Sequence, residues 1–186
     1  MVLVAQGLDT KRSINPATPT AAVESQPASA AALTQAAPAP SAPEDMKNWQ
    51  YTSTTDEMTG RSSKIACTTS TNELDFDFPY NGGASGELCF RRKGKSLDAW
   101  LKVTKGQFAC GIEDCVLKVK FDENPLQSYS AVESTSHTTG MLFFQSQGRL
   151  LTSALRGKQL KVQANYFEAG NKVLYFDVSG LDLKQL

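Results

Sequence analysis

Gly106-Gln107-Phe108-Ala109-Cys110-Gly111-Ile112-Glu113-Asp114-Cys115, running on into Val116-Leu117-Lys118-Val119-Lys120-Phe121-Asp122, holds two cysteines around a turn-forming Gly-Ile-Glu-Asp tetrapeptide. Each cysteine borders residues with β preference, so the stretch reads as a hairpin pinned by its own disulfide. Its second arm alternates cleanly. Leu117, Val119 and Phe121 fall to one side and Lys118 and Lys120 to the other, the period of a half-buried strand. Asp122-Glu123-Asn124-Pro125 ends it.

Upstream, Ser63 to Cys67 reads as a short strand and three more follow: Glu73 to Phe78, Gly86 to Arg92, and Leu97 to Thr104. Their connections are short, which predicts an antiparallel meander. Period two sends Leu74, Phe76, Phe78, Leu88, Phe90, Leu97, Ala99, Leu101 and Val103 to the core face, leaving Asp75, Asp77, Cys89, Arg91, Trp100 and Lys102 opposite. Downstream, Tyr129 to Glu133 reads as a weak edge strand. Gly140 to Gln145 reads as a buried one, because both of its parities are apolar. A two-turn helix is expected over Gly148 to Leu155, with Leu151 and Leu155 four apart and Gly157 as its stop. Strands Gln159 to Tyr166 and Lys172 to Ser179 close the chain. The fold class is therefore all-β, an antiparallel β-sandwich with one short helix towards the C-terminal end.

The N-terminal quarter differs in composition. From Pro16 to Pro43 lie six of the eight prolines and eleven alanines, with Glu24 the single charge and no aromatic residue. Ordering such a segment costs about 1–2 kcal/mol per residue, with too little apolar surface to offset it. Residues 1–47 are expected to be a disordered tether and residues 48–186 the folded domain, alternation beginning at Trp49-Gln50-Tyr51. Lysine plus arginine balances aspartate plus glutamate at 19 each, so no net field draws the chain to nucleic acid or to an anionic membrane. The basic run Arg91, Arg92, Lys93 and Lys95 lacks interleaved aromatics, so nucleic acid is not an expected partner.

All four cysteines, Cys67, Cys89, Cys110 and Cys115, lie in the domain, and their even count favours disulfides, paired Cys67–Cys89 and Cys110–Cys115. A four-cysteine zinc site is the alternative, but intervening stretches of twenty-one, twenty and four residues lack its usual paired knuckles. No metal and no cofactor is expected. Disulfides imply export, yet Met1-Val2-Leu3-Val4-Ala5 is too short for a signal core or a membrane span. The expectation is a periplasmic domain, or one anchored in a membrane and facing the periplasm, with membrane contact only through an N-terminal anchor missing here. A cytosolic chain with reduced cysteines is the other possibility.

Trp49, Asp56-Glu57-Met58-Thr59-Gly60, Asn72, Phe78-Pro79-Tyr80-Asn81-Gly82-Gly83, Leu88 to Arg91, Lys105-Gly106-Gln107-Phe108, Lys120-Phe121-Asp122, Arg149-Leu150-Leu151 and Phe176 to Leu181 form an ordered set of landmarks. Together they resemble a family of small uncharacterised proteobacterial and prophage-encoded envelope proteins. The resemblance runs from Trp49 to Leu183. More loosely, the layout is similar to accessory envelope proteins associated with type VI secretion. The first of these resemblances, to the small envelope proteins, implies an N-terminal anchor, a polar linker and a C-terminal β domain, and it brings no catalytic residue with it.

Chemistry is sparse. His137 is the single histidine, in a Ser/Thr-rich loop with no nucleophile-elbow pattern around it. Asp75 and Asp77, roughly 7 Å apart by strand rise, suit a glycosidase on paper, but acids on a strand's polar face ordinarily solubilise it. Arg91 is expected to pair with one of them. Gly82, Gly83 and Gly86 are turn glycines, since no phosphate-binding helix follows them. What stands out is Trp100 among charges, covered either by the disulfide and a segment of chain or by a partner. The expected function is a non-catalytic, envelope-facing binding or accessory module with a protein partner. Its candidate binding residues are Trp100, Arg91, Lys102, Asp75 and Asp77. The alternative is a periplasmic inhibitor or immunity protein acting on a hydrolase.

Overall fold

The computed structural model describes residues 48–110, 114–134 and 140–186. The expected tether over 1–47, the turn at 111–113 and His137 lie outside the described residues.

The domain opens with a hairpin. β1 (Gln50–Thr55) and β2 (Ser62–Thr69) are rich in Thr and Ser and pair antiparallel around Asp56-Glu57-Met58-Thr59-Gly60. The Asp56 carboxylate accepts N–H bonds from Met58 and Thr59 at 3.0 and 2.9 Å. Gly60 takes the left-handed φ of 64° that a side chain would resist. β3 (Leu74–Phe76) and β4 (Gly82–Ala84) then pair with each other as a separate two-stranded sheet. The expected meander is therefore broken: β5 (Gly86–Lys93) pairs with β2 on one side and with β6 (Ser96–Val103) on the other. Phe78 is a further correction. Its strand ends at Phe76, a Tyr80 N–H bond to the Asp77 carbonyl turns the chain, and Phe78 is left 82% exposed.

β7 (Cys115–Phe121), β8 (Gln127–Glu133), β9 (Met141–Phe144), β10 (Gln159–Tyr166) and β11 (Gly170–Asp177) complete a nine-stranded antiparallel sheet ordered β1-β2-β5-β6-β9-β8-β7-β10-β11. β8 sits between β9 and β7, so it is an interior strand and not an edge. The stretch ending at Cys110 does not form a hairpin with β7 either. Phe108 bridges to Tyr166 and Ala109 donates to the Asn165 carbonyl, while Lys118 to Phe121 pair further along the same β10. The Cys110–Cys115 disulfide thus ties the Phe108–Ala109 segment to β7, and both lie beside β10.

After Thr69 the chain leaves β2 and runs beside β11, where the Thr71 N–H donates to the Tyr175 carbonyl at 2.7 Å. The sheet so folds over a single core, giving a sandwich-like all-β fold. Leu88, Phe90, Ala99 and Leu101 meet Leu160, Val162, Leu174 and Phe176 in it, all at most 1% exposed. Complete burial of each large side chain stabilises by about 1.5–3 kcal/mol. The two halves are closely packed at Gly86, where a Cβ would stand 2.5 Å from Leu174 Cδ1. The helix α1 (Gln147–Ala154) buries Leu150, Leu151 and Ala154. Leu155, expected on the same stripe as Leu151, caps the helix and is 37% exposed. Among the described residues no helix is long and apolar enough to cross a membrane.

Candidate interaction face

The outer face follows from the inner one. Because Leu88 and Phe90 on β5 and Ala99, Leu101 and Val103 on β6 point into the core, Cys89, Arg91, Trp100 and Lys102 must point out. Register then aligns them in rows. Cys67, Cys89, Trp100, Phe143 and Val132 are successive directly opposed partners across β2, β5, β6, β9 and β8. The Cys67–Cys89 disulfide links the first two strands of this row. The Trp100 and Phe143 rings lie 5.9 Å apart at 47°. Val132, at 39% exposure, continues the row, and Trp100 and Phe143 remain half-buried.

Charged residues border this strip on both sides. On one, Ile65, Arg91 and Asp98 are opposed, with Arg91 Nε and Nη2 donating to Asp98 Oδ2 at 2.9 and 2.7 Å. On the other, Glu87, Lys102 and Met141 are opposed. The Arg91–Asp98 pair is too exposed to add more than about 1 kcal/mol of stability. Its consequence is positional: it holds the guanidinium 5.6 Å from the Trp100 ring centroid, within cation–π range.

Arg91, Trp100 and Lys102 are thus brought together, but Asp75 and Asp77 are not with them. Asp75 lies on β3 and Asp77 just beyond it, both exposed, and β3 pairs with β4 and not with β5. Arg91 accordingly pairs with Asp98, its cross-strand neighbour, in place of the expected Asp75 or Asp77. Phe143, Val132 and Asp98 were not singled out from the sequence. The signal for Phe143 was the double-apolar pattern of its strand, which looks like burial on both faces until β9 is known to lie beside β6.

Cys67, Glu87 and Cys89 bring three potential ligand atoms within 4.8 Å of one another, but both sulfurs are committed to a disulfide and offer no thiolate. The two disulfides account for every cysteine and indicate an oxidising compartment, such as the periplasm or the extracellular space. Comparisons with family models, curated proteins and solved structures return no match to this chain.

Proposed function

We propose that the chain is a non-catalytic binding or accessory module of the bacterial envelope, held in the periplasm near a membrane by its Pro/Ala-rich N-terminal segment, and that the Trp100 face docks a protein partner. One observation carries this reading: an apolar strip of Trp100, Phe143 and Val132, stiffened by a disulfide and bordered by Arg91/Asp98 and Glu87/Lys102. An aromatic centre with an arginine and a polar rim is the composition of protein interfaces. The resemblance to small envelope proteins supports the same compartment.

The test is site-specific photo-crosslinking from position 102 or 143 in envelope extract, followed by binding of the purified captured protein to the Trp100→Ala and Phe143→Ala variants. The reading expects at least tenfold weaker binding for both. Unchanged affinity in both variants would remove this face as the docking surface. If the captured protein is a hydrolase that the oxidised chain inhibits, the module is an inhibitor.

A further inference from the structure

A second surface feature is independent of the Trp100 face. Beyond β3 the chain turns through residues 77–80, and opposite it stands the turn that joins β10 to β11. Between them lies a cleft of about 280 Å³ lined by Phe76, Asp77, Phe78, Tyr80, Phe167 and Glu168, with further lining residues beside them. Two of the largest exposed hydrophobic side chains in the described residues, Phe78 at 82% and Phe167 at 58%, converge on this cleft. The walls are held in place. Tyr80 N–H donates to the Asp77 carbonyl at 3.0 Å and Phe167 N–H to the Gln107 carbonyl at 2.9 Å. Phe76 is backed by the Tyr166 ring at 5.3 Å, and Tyr166 by Phe108 at 5.0 Å.

The charged side chains that line the cleft have one sign. Asp77 and Glu168 both line it, and neither carboxylate is in an ion pair among the described residues. One ring of the wall already faces a cation, since the Lys172 ammonium stands 5.4 Å from the Phe76 centroid. Aromatic faces carry negative potential, so rings and carboxylates here act in the same direction. An anion is disfavoured by both. A neutral apolar ligand would use the rings and leave two carboxylates partly desolvated. An alkylammonium head uses both, and the volume, just below the usual range of about 300–1,000 Å³ for ligand pockets, suits a head group better than a large ligand.

We infer that this cleft binds an alkylammonium cation, its charge facing Asp77 and Glu168 and its alkyl groups against Phe78, Tyr80 and Phe167. That chemistry is carried both by small quaternary amines and by lysine side chains. Titration of the isotope-labelled, oxidised full chain, followed by nuclear magnetic resonance, separates them with two probes. Choline represents the first source and a blocked lysine amide the second, with the neutral tert-butyl analogue of choline as control. Saturable shifts at Phe78, Phe167 and Glu168 with either cation support the site, and the tighter probe identifies the source. The Asp77→Asn/Glu168→Gln variant should weaken cation binding by about tenfold or more for the loss of two charges. Its unchanged core resonances, such as those of Phe176, report that it is folded. The inference is overturned if neither cation binds, if the neutral analogue binds as well as choline, or if the double variant binds like the native chain.

Discussion

Tyr166 is buried to 1% exposure, and its hydroxyl is without a hydrogen-bond partner among the described residues. An unsatisfied buried hydroxyl costs free energy that its ring contacts with Phe76 and Phe108 do not need, so Tyr166→Phe should stabilise the domain by about 1 kcal/mol. The same burial pushes the phenol well above its ordinary value of 10.0. Above that value an unfolded chain releases the proton while the folded one still holds it, so the native protein loses stability as pH rises past about 10. Urea melts at neutral and alkaline pH should show Tyr166→Phe gaining more over the native chain on the alkaline side. An equal gain at both would mean that folding does not shift the phenol's titration. Trp100 is the opposite case, half-buried against Phe143 and Arg91 on the outer face. Full burial would make Trp100→Ala cost about 3–5 kcal/mol. With only part of the ring exposed, a loss somewhat below that range, about 2–3 kcal/mol, is expected in denaturant melts, and a larger loss would mean that the ring serves the core more than the surface.

Strands were legible where the information is local. In β6 and β7 the alternation Ala99/Leu101/Val103 and Leu117/Val119/Phe121 is written by residues two apart, and the structure buries all six. Strand order is not local. β6 pairs with β9 across the whole of β7 and β8, so nothing near Trp100 announces that Phe143 is its neighbour. The same gap explains Asp75 and Asp77: period two assigns a face within a strand, but only pairing decides whether two strands share a sheet. Cysteine parity did carry long-range information, because disulfides join opposed positions, and Cys67–Cys89 links β2 to β5 directly. Closing a loop of sequence separation 22 should stabilise this pairing by about 3 kcal/mol on the chain-entropy estimate. Cys110–Cys115, with separation 5, should contribute about 2 kcal/mol. Equilibrium melts of Cys67→Ala/Cys89→Ala and Cys110→Ser/Cys115→Ser check the order. A smaller loss for the first pair would show that pairing of β2 with β5 persists in the unfolded chain.

At the scale of the molecule, the central question for a nine-stranded sheet is what happens at its ends, since an unpaired strand edge invites pairing with another chain. Here the segment after β2 returns to β11. Thr71 contributes its backbone, and Asn72 contributes its side chain. Asn72 Nδ2 donates to the Val173 carbonyl at 3.0 Å, and Asn72 Oδ1 accepts from the Tyr175 N–H at 2.8 Å. A carboxamide carries the same donor and acceptor as a peptide group, so Asn72 stands in for one residue of a missing strand partner. Trp49 braces the seam from the interior, its indole N–H donating to the Val178 carbonyl at 3.3 Å. Asn72→Ala removes two hydrogen bonds worth about 0.5–1.5 kcal/mol each, so a loss of about 1–2 kcal/mol is expected. The more specific expectation is local. Amide exchange at Tyr175 should accelerate strongly, while Leu101 and Phe90 at the centre of the sheet keep nearly their native protection. Asn72→Asp separates the two bonds, because it retains the acceptor for Tyr175 and sets a carboxylate oxygen against the Val173 carbonyl. It should protect Tyr175 better than alanine does. Tyr175 exchange that is unchanged in both variants would mean that Thr71 and the core hold the seam without Asn72.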